Sequence, residues 1–130
     1  MSIKVETGSI AETIEGYAFA YLLTMGTAPR PHVVAVGVTA VDGSLRVSEV
    51  GRSSRRNIEG NDAVTLLWPP RDAGGYSLIV DGTATVQGDE VVVAPERAVL
   101  HRPAPDAPEP ADGTCAADCV ELPVPEGSGS

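Results

Sequence analysis

Six consecutive residues, Arg52-Ser53-Ser54-Arg55-Arg56-Asn57, carry most of the chemistry this sequence offers. They hold three of the nine basic residues in a chain with eighteen acidic ones. Arginine presents its N–H groups as a planar fork that matches phosphate oxygens. Two hydroxyls lie among the guanidiniums, and a helix opening here would add free backbone N–H groups at its positive dipole end. The block reads as an anion cradle. The competing reading is a solvated basic turn that pairs with the chain's own excess of acids.

Other chemistry-bearing residues are sparse. Cys115 and Cys119, with His101 and His32, raise the question of a zinc site, which needs four such ligands. The Cys-x3-Cys spacing is looser than the usual pair and no second pair exists, so a short-range disulfide or two free thiols compete with it, and no metal ligand is assigned. A redox-active pair would need a nearby positive charge, and Asp118 acts the other way. There is no Gly-x-Ser-x-Gly, no Walker loop and no Gly-x-Gly-x-x-Gly. His32 and His101 are the only histidines, and His32, at a strand start, reads as a polar edge residue rather than an acid–base group.

The chain that must position these residues has 130 amino acids, about one domain. Apolar residues make up 42% and aromatics only 4%, so the core must be mostly Val, Ala, Leu and Ile. A small, β-branched core suits a barrel or sandwich. The net charge of −9 argues against a nucleic-acid partner and against an anionic membrane surface. No stretch is apolar enough to span a bilayer and the N-terminus lacks a signal pattern, so a cytoplasmic location is expected.

A short helix is expected over residues 8–16, with Ser9 and Glu12 as a capping box and Ile10, Ile14 and Tyr17 on its apolar face. Strands are expected at 18–25, 32–40 and 44–50, forming an antiparallel meander with a hairpin at Asp42-Gly43. The basic block then breaks the β pattern, with Ser53 or Ser54 capping a helix that ends near Gly60. Further strands follow at 63–68, 76–86 and 90–95, and a strand or turn at 97–102. Asp81-Gly82, inside a long strand, marks a bulge or barrel corner. Six short strands with glycine-marked corners point to a small closed or partly open barrel. From Pro103 the composition changes, with six of the eleven prolines in 103–125. A domain over 1–102 is thus followed by a Pro-rich extended tail over 103–130 that carries the cysteine pair.

The order of these pieces resembles the pyridoxamine phosphate oxidase-like superfamily of FMN- or deazaflavin-binding split β-barrels. The resemblance covers roughly residues 8–100. It is carried by PHVVAVGV, by the hairpin VDGSLRVSEV, by GRSSRRNIEGNDAVTLLW, and by GYSLIVDGTATV. It implies a mainly β, six-stranded antiparallel split β-barrel with one or two short helices. It also implies that the helix and the turn before it bind the cofactor phosphate. The family's common pattern is Arg, then Lys two places on, then Arg-Asn. Arg52, Arg56 and Asn57 match it, Ser54 stands at the lysine position, and Arg55 is the neighbouring substitute. The flavin ring would lie against the backbone of Val33–Val36 and Ser48–Val50. The implied cofactor-binding set is Ser48, Glu49, Val50, Arg52, Ser53, Ser54, Arg55, Arg56 and Asn57. Family members are usually homodimers, with Trp68 and Tyr76 as contributors from the facing subunit.

Three functions follow from these readings. The first is a small flavin- or deazaflavin-dependent oxidoreductase, in which the cofactor carries the hydride and no catalytic side chain is required. The second is a non-catalytic cofactor-binding or scaffold protein of the same fold. The third is a metal- or redox-responsive protein using the Cys pair. Pyridoxamine phosphate oxidase activity itself is not expected, because further basic substrate-binding residues cannot be placed after residue 86.

Overall fold

The computed structural model describes residues 2–103. Cys115, Cys119 and the tail from residue 104 onward lie outside the described residues. Strand β1 (Ser2–Val5) leads through a 3-10 turn (Thr7–Ser9) into helix α1 (Ile10–Ile14). Strands β2 (Ala20–Met25), β3 (Pro31–Val36), β4 (Val38–Val41) and β5 (Ser44–Val47) precede helix α2 (Arg52–Gly60). Strands β6 (Ala63–Trp68), β7 (Ser77–Gln87) and β8 (Glu90–His101) complete the described elements.

One antiparallel sheet takes in every strand, in the order β3-β2-β6-β7-β8-β5-β4, with β1 added along the end of β8. The two ends of that order, β3 and β4, are successive segments joined by Gly37 alone. The sheet must therefore curl until its first and last strands meet at one residue. The expected strand at 32–40 is thus a single bent strand, broken at its glycine. With β3–β4 counted once and β1 set aside, the barrel has the six strands read from the sequence. The pieces at 90–95 and 97–102 form one strand, and β1 was not expected.

Alternation builds the core. Ala20, Leu22 and Thr24 of β2, Val64, Leu66 and Trp68 of β6, and Leu78, Val80 and Ala84 of β7 all point inward and are buried. Asp42 and Gly43 both have positive φ, 50° and 82°, the geometry of a type I′ hairpin turn. The β7–β8 ladder slips between Asp81 and Gly82, so the expected bulge is present. Pro95 pairs with Gly82 at that slip. Neighbouring β5 stops pairing at Val93 and β1 starts at Ala98. Pro95, which has no N–H, therefore sits where β8 has no ladder on its other side.

Two expected caps are not made. Ser9 lies in the 3-10 turn with φ −102° and ψ 3°, and its hydroxyl caps nothing. Instead, Thr13 donates from Oγ1 to the Ser9 carbonyl at 2.8 Å. Helix α2 has Gly51, not a serine, at its N-cap, without a side-chain cap bond. Ser53 and Ser54 lie inside its first turn. Among the described residues, no helix is long and apolar enough to cross a membrane.

Candidate functional site

Helix α2 is amphipathic in a simple way. Ser54 and Ile58, four residues apart, form its buried stripe, and Ile58 joins the barrel core. The helix packs on β2 and β7. That placement turns Ser53, Arg56 and Asn57 toward the turn between β2 and β3. A cleft of about 260 Å³ lies there. Arg30, Pro31 and His32 line it from the hairpin, Ser53, Arg56 and Asn57 from the helix, and Gly26 to Ala28 complete it.

The cleft is cationic. Two of its lining residues are arginines, and no carboxylate is among them. Most other arginines are engaged elsewhere. Arg46 pairs with Glu90 at 2.9 Å, and Arg97 with Asp81 at 3.4 Å. Arg71 donates to the Gly16 carbonyl and Arg102 to the Gly74 carbonyl. Among the described residues, Arg30, Arg52 and Arg56 have no such bond. Arg52 and Arg56 are four apart on one helix face, where like charges repel unless an anion lies between them.

Behind the cleft sits a small polar network. Thr24 and Ser54 are each only 1% exposed. Asn57 donates from Nδ2 to Thr24 Oγ1 at 3.0 Å. Ser54 Oγ lies 3.3 Å from His32 Nδ1. Thr24 and His32 are directly opposed across the β2–β3 ladder, so their side chains share a face.

The expected cofactor-binding residues divide into three groups. Ser53, Arg56 and Asn57 line the cleft, and Ser54 lies behind it. Arg52 is exposed one turn before Arg56. Arg55 turns to the other flank, where its guanidinium donates to the Gly51 and Gly88 carbonyls at 3.4 and 3.1 Å. It is not among the residues that line the cleft. Ser48, Glu49 and Val50 follow β5 beside the same β7–β8 turn. The Val50 N–H donates to the Asp89 carbonyl at 2.8 Å, and Glu49 holds φ at 57°. Trp68 is buried in its own core. Tyr76 lies under Arg102, 4.4 Å from its ring centroid, and its carbonyl accepts a bond from Tyr17.

Thr24, Gly26 and Arg30 do not figure among the expected cofactor-binding residues, and His32 figures in the sequence only as a metal or acid–base candidate. Their signal was an arginine between two prolines, followed by a histidine, in an acidic chain. A larger hollow of about 530 Å³ lies between β1 and β8. Its charged lining, Lys4, Glu6, Glu96 and Arg97, mixes both signs and selects neither.

The comparisons with known proteins agree with this architecture. No family model matches the chain. A structure named F420 reductase superposes with a TM-score of 0.57 at 19% identity, covering 67% of this chain and 93% of that one. A pyridoxamine 5′-phosphate oxidase-type protein from Listeria innocua gives 0.58 at 16% identity, covering 72% and 96%. An FAD-binding protein from Mycobacterium smegmatis gives 0.57 at 15%, covering 78% and 100%. The fold is a split β-barrel, shared with these structures. The chain is 40% identical over 139 aligned positions to Mb0449c of Mycobacterium bovis and to MT0457 of Mycobacterium tuberculosis, covering 94% of this chain and 97% of each. It belongs to the family of those two proteins.

Proposed function

We propose that the chain binds a phosphate-bearing flavin-type cofactor, FMN or a deazaflavin, with the phosphate in the cleft between α2 and the β2–β3 turn, and that it acts as a small oxidoreductase. The observation that carries this reading is the pair of unpartnered guanidiniums, Arg30 and Arg56, in one carboxylate-free cleft of a chain with net charge −9. The solved structures of like fold include proteins named for F420 and FAD.

The residues fit the phosphate end. Two arginines, the Ser53 hydroxyl and the Asn57 amide supply donors from two sides. The cleft, at about 260 Å³, falls below the range that encloses a whole drug-sized ligand. The ring system must therefore lie outside it, along the outward side of β3, where Val33 is 49% exposed. Leu23, Met25 and Val33 form an apolar surface on that side. A second copy of the chain is proposed to cover it and to shield the ring from water. When bound, such a cofactor supplies hydride transfer. The chain's own residues anchor the phosphate and fix where the ring lies.

Absorbance and fluorescence titrations with FMN and a deazaflavin test the reading. Each charged hydrogen bond is worth about 1.5–3 kcal/mol, so Arg30→Ala with Arg56→Ala should weaken binding roughly a hundredfold or more. Unchanged affinity in that double variant sinks the assignment. The non-catalytic reading is favoured by a cleft whose only acid–base side chain is His32. A bound cofactor that passes no electrons to any acceptor would establish it.

A further inference from the structure

Ser54 stands where the resemblance places a lysine, yet it is buried and faces a histidine. A buried hydroxyl proton needs an acceptor. Among the described residues, the only hydrogen-bond partner of Ser54 Oγ is His32 Nδ1, 3.3 Å away. The hydroxyl must then donate, and Nδ1 must accept. In a neutral imidazole the ring proton is thereby placed on Nε2. His32 also lines the cleft, and its Nε2 has no bonded neighbour among the described residues. The opposite tautomer would turn a lone pair toward any anion there and repel it.

We propose that His32 is the third anion-binding residue of the cleft, its Nε2–H donating to a phosphate oxygen beside Arg30 and Arg56, and that Ser54 is the positioning residue that fixes this tautomer. The ligand class is a tetrahedral oxyanion, in particular a phosphate monoester. The inference rests on the reading that the cleft holds a phosphate. It assigns to a neutral Ser–His pair the donor that a lysine ammonium would give. The cross-strand pairing of His32 with Thr24, which Asn57 holds in turn, keeps the ring in place.

Ring ¹⁵N shifts of the full-length protein in alkaline buffer test the tautomer without any mutation, since the chain has only two histidines. The Nε2–H form is expected for His32, moving to a mixture in Ser54→Ala. Titration with inorganic phosphate tests the contact. Gln mimics Nε2 and Asn mimics Nδ1, so His32→Gln should keep phosphate affinity within about threefold, while His32→Asn should lose about tenfold, one hydrogen bond's worth. An Nδ1–H tautomer, equal phosphate affinity in the two variants, or no phosphate binding by the native chain overturns the inference. Flavin binding that ignores His32→Asn and Ser54→Ala also overturns it, leaving the cofactor reading intact. The expected phosphate pattern without any flavin or deazaflavin binding sinks the cofactor reading alone.

Discussion

Asn57 fills the space that a side chain on Gly26 would need. A Cβ built on Gly26 would stand only 2.9 Å from Asn57 Cγ and closer still to its Oδ1, while the same amide donates from Nδ2 to Thr24. The helix and the hairpin thus meet with no slack behind the anion cleft. Gly26→Ala must push the amide off Thr24, leaving a buried hydroxyl without its donor. The expected cost is about 1–3 kcal/mol in urea denaturation. Asn57→Ala removes the obstacle, so Gly26→Ala should cost almost nothing in that background. A cost that persists there would show that the backbone at Gly26, not the amide, is the constraint.

The strands were legible because each has one buried face, which writes a period of two into the sequence. The Asp42-Gly43 turn was legible because it needs positive φ at both residues, and the Gly82 bulge because the neighbouring strand leaves no room for a side chain. Gly37 was not, since a bent strand and a straight one share the same valine pattern. Strand β1 was missed because three of its four residues are exposed, and its partner, residues 98–101, lies at the far end of the domain. The basic block located α2 and half of the cleft. Arg30 and His32 were not legible as cleft residues, because only the β2–β3 hairpin's approach to the helix brings them there.

The two glycines at the bulge and at the start of α2 should respond with opposite signs. A Cβ on Gly82 would meet the Ala94 carbonyl oxygen at 2.5 Å and Val93 Cγ1 at 2.9 Å. The obstacle is the backbone of the neighbouring strand, which cannot rotate away. Gly82→Ala should therefore destabilise by about 1–3 kcal/mol or more. Gly51 is the N-cap of α2, with φ −70° and ψ 168°, and a Cβ there would meet nothing within 4 Å. Gly51→Ser supplies the missing side-chain cap and should stabilise by a few tenths of a kcal/mol. Both are read from urea midpoints at constant slope.

Tyr17 gives the fold an alkaline limit. Its hydroxyl donates to the Tyr76 carbonyl at 2.9 Å, and burial pushes its pKa above the ordinary 10.0. The folded value is the higher one, so the neutral phenol's contribution is complete below pH 10 and is lost as pH rises through the raised value. Tyr17→Phe removes the hydrogen bond and should be less stable than the native chain by about 1 kcal/mol near neutrality. The gap should narrow as the buffer is taken above pH 10. A gap that stays constant through that range would mean that Tyr17 ionises as easily folded as unfolded.

The outward face of β2, β3, β6 and β7 carries the last expectation, which concerns the proposed second copy. The registers place Ala35, Tyr21, Leu67 and Ile79 in one row across the sheet and Val33 beside Leu23 in the next. Met25 and Pro31 end the patch next to the anion cleft. Val33 is 49% exposed, and Met25 and Phe19 are each 38% exposed. A solvated sheet face would alternate toward polar residues, and this one does so at Thr65 and along β7 at Ser77, Asp81 and Thr83, leaving the β2–β3 part apolar. Sedimentation velocity should therefore find a dimer at micromolar concentration. Leu23→Asp with Val33→Asp should give a folded monomer, because both side chains point away from the barrel core. Flavin affinity should fall in that monomer while inorganic phosphate still binds, since the cleft belongs to one chain and the ring's shelter to two. A native chain that sediments as a monomer, or a monomeric variant that binds flavin as tightly as the native chain, would refute a ring sheltered by the second copy.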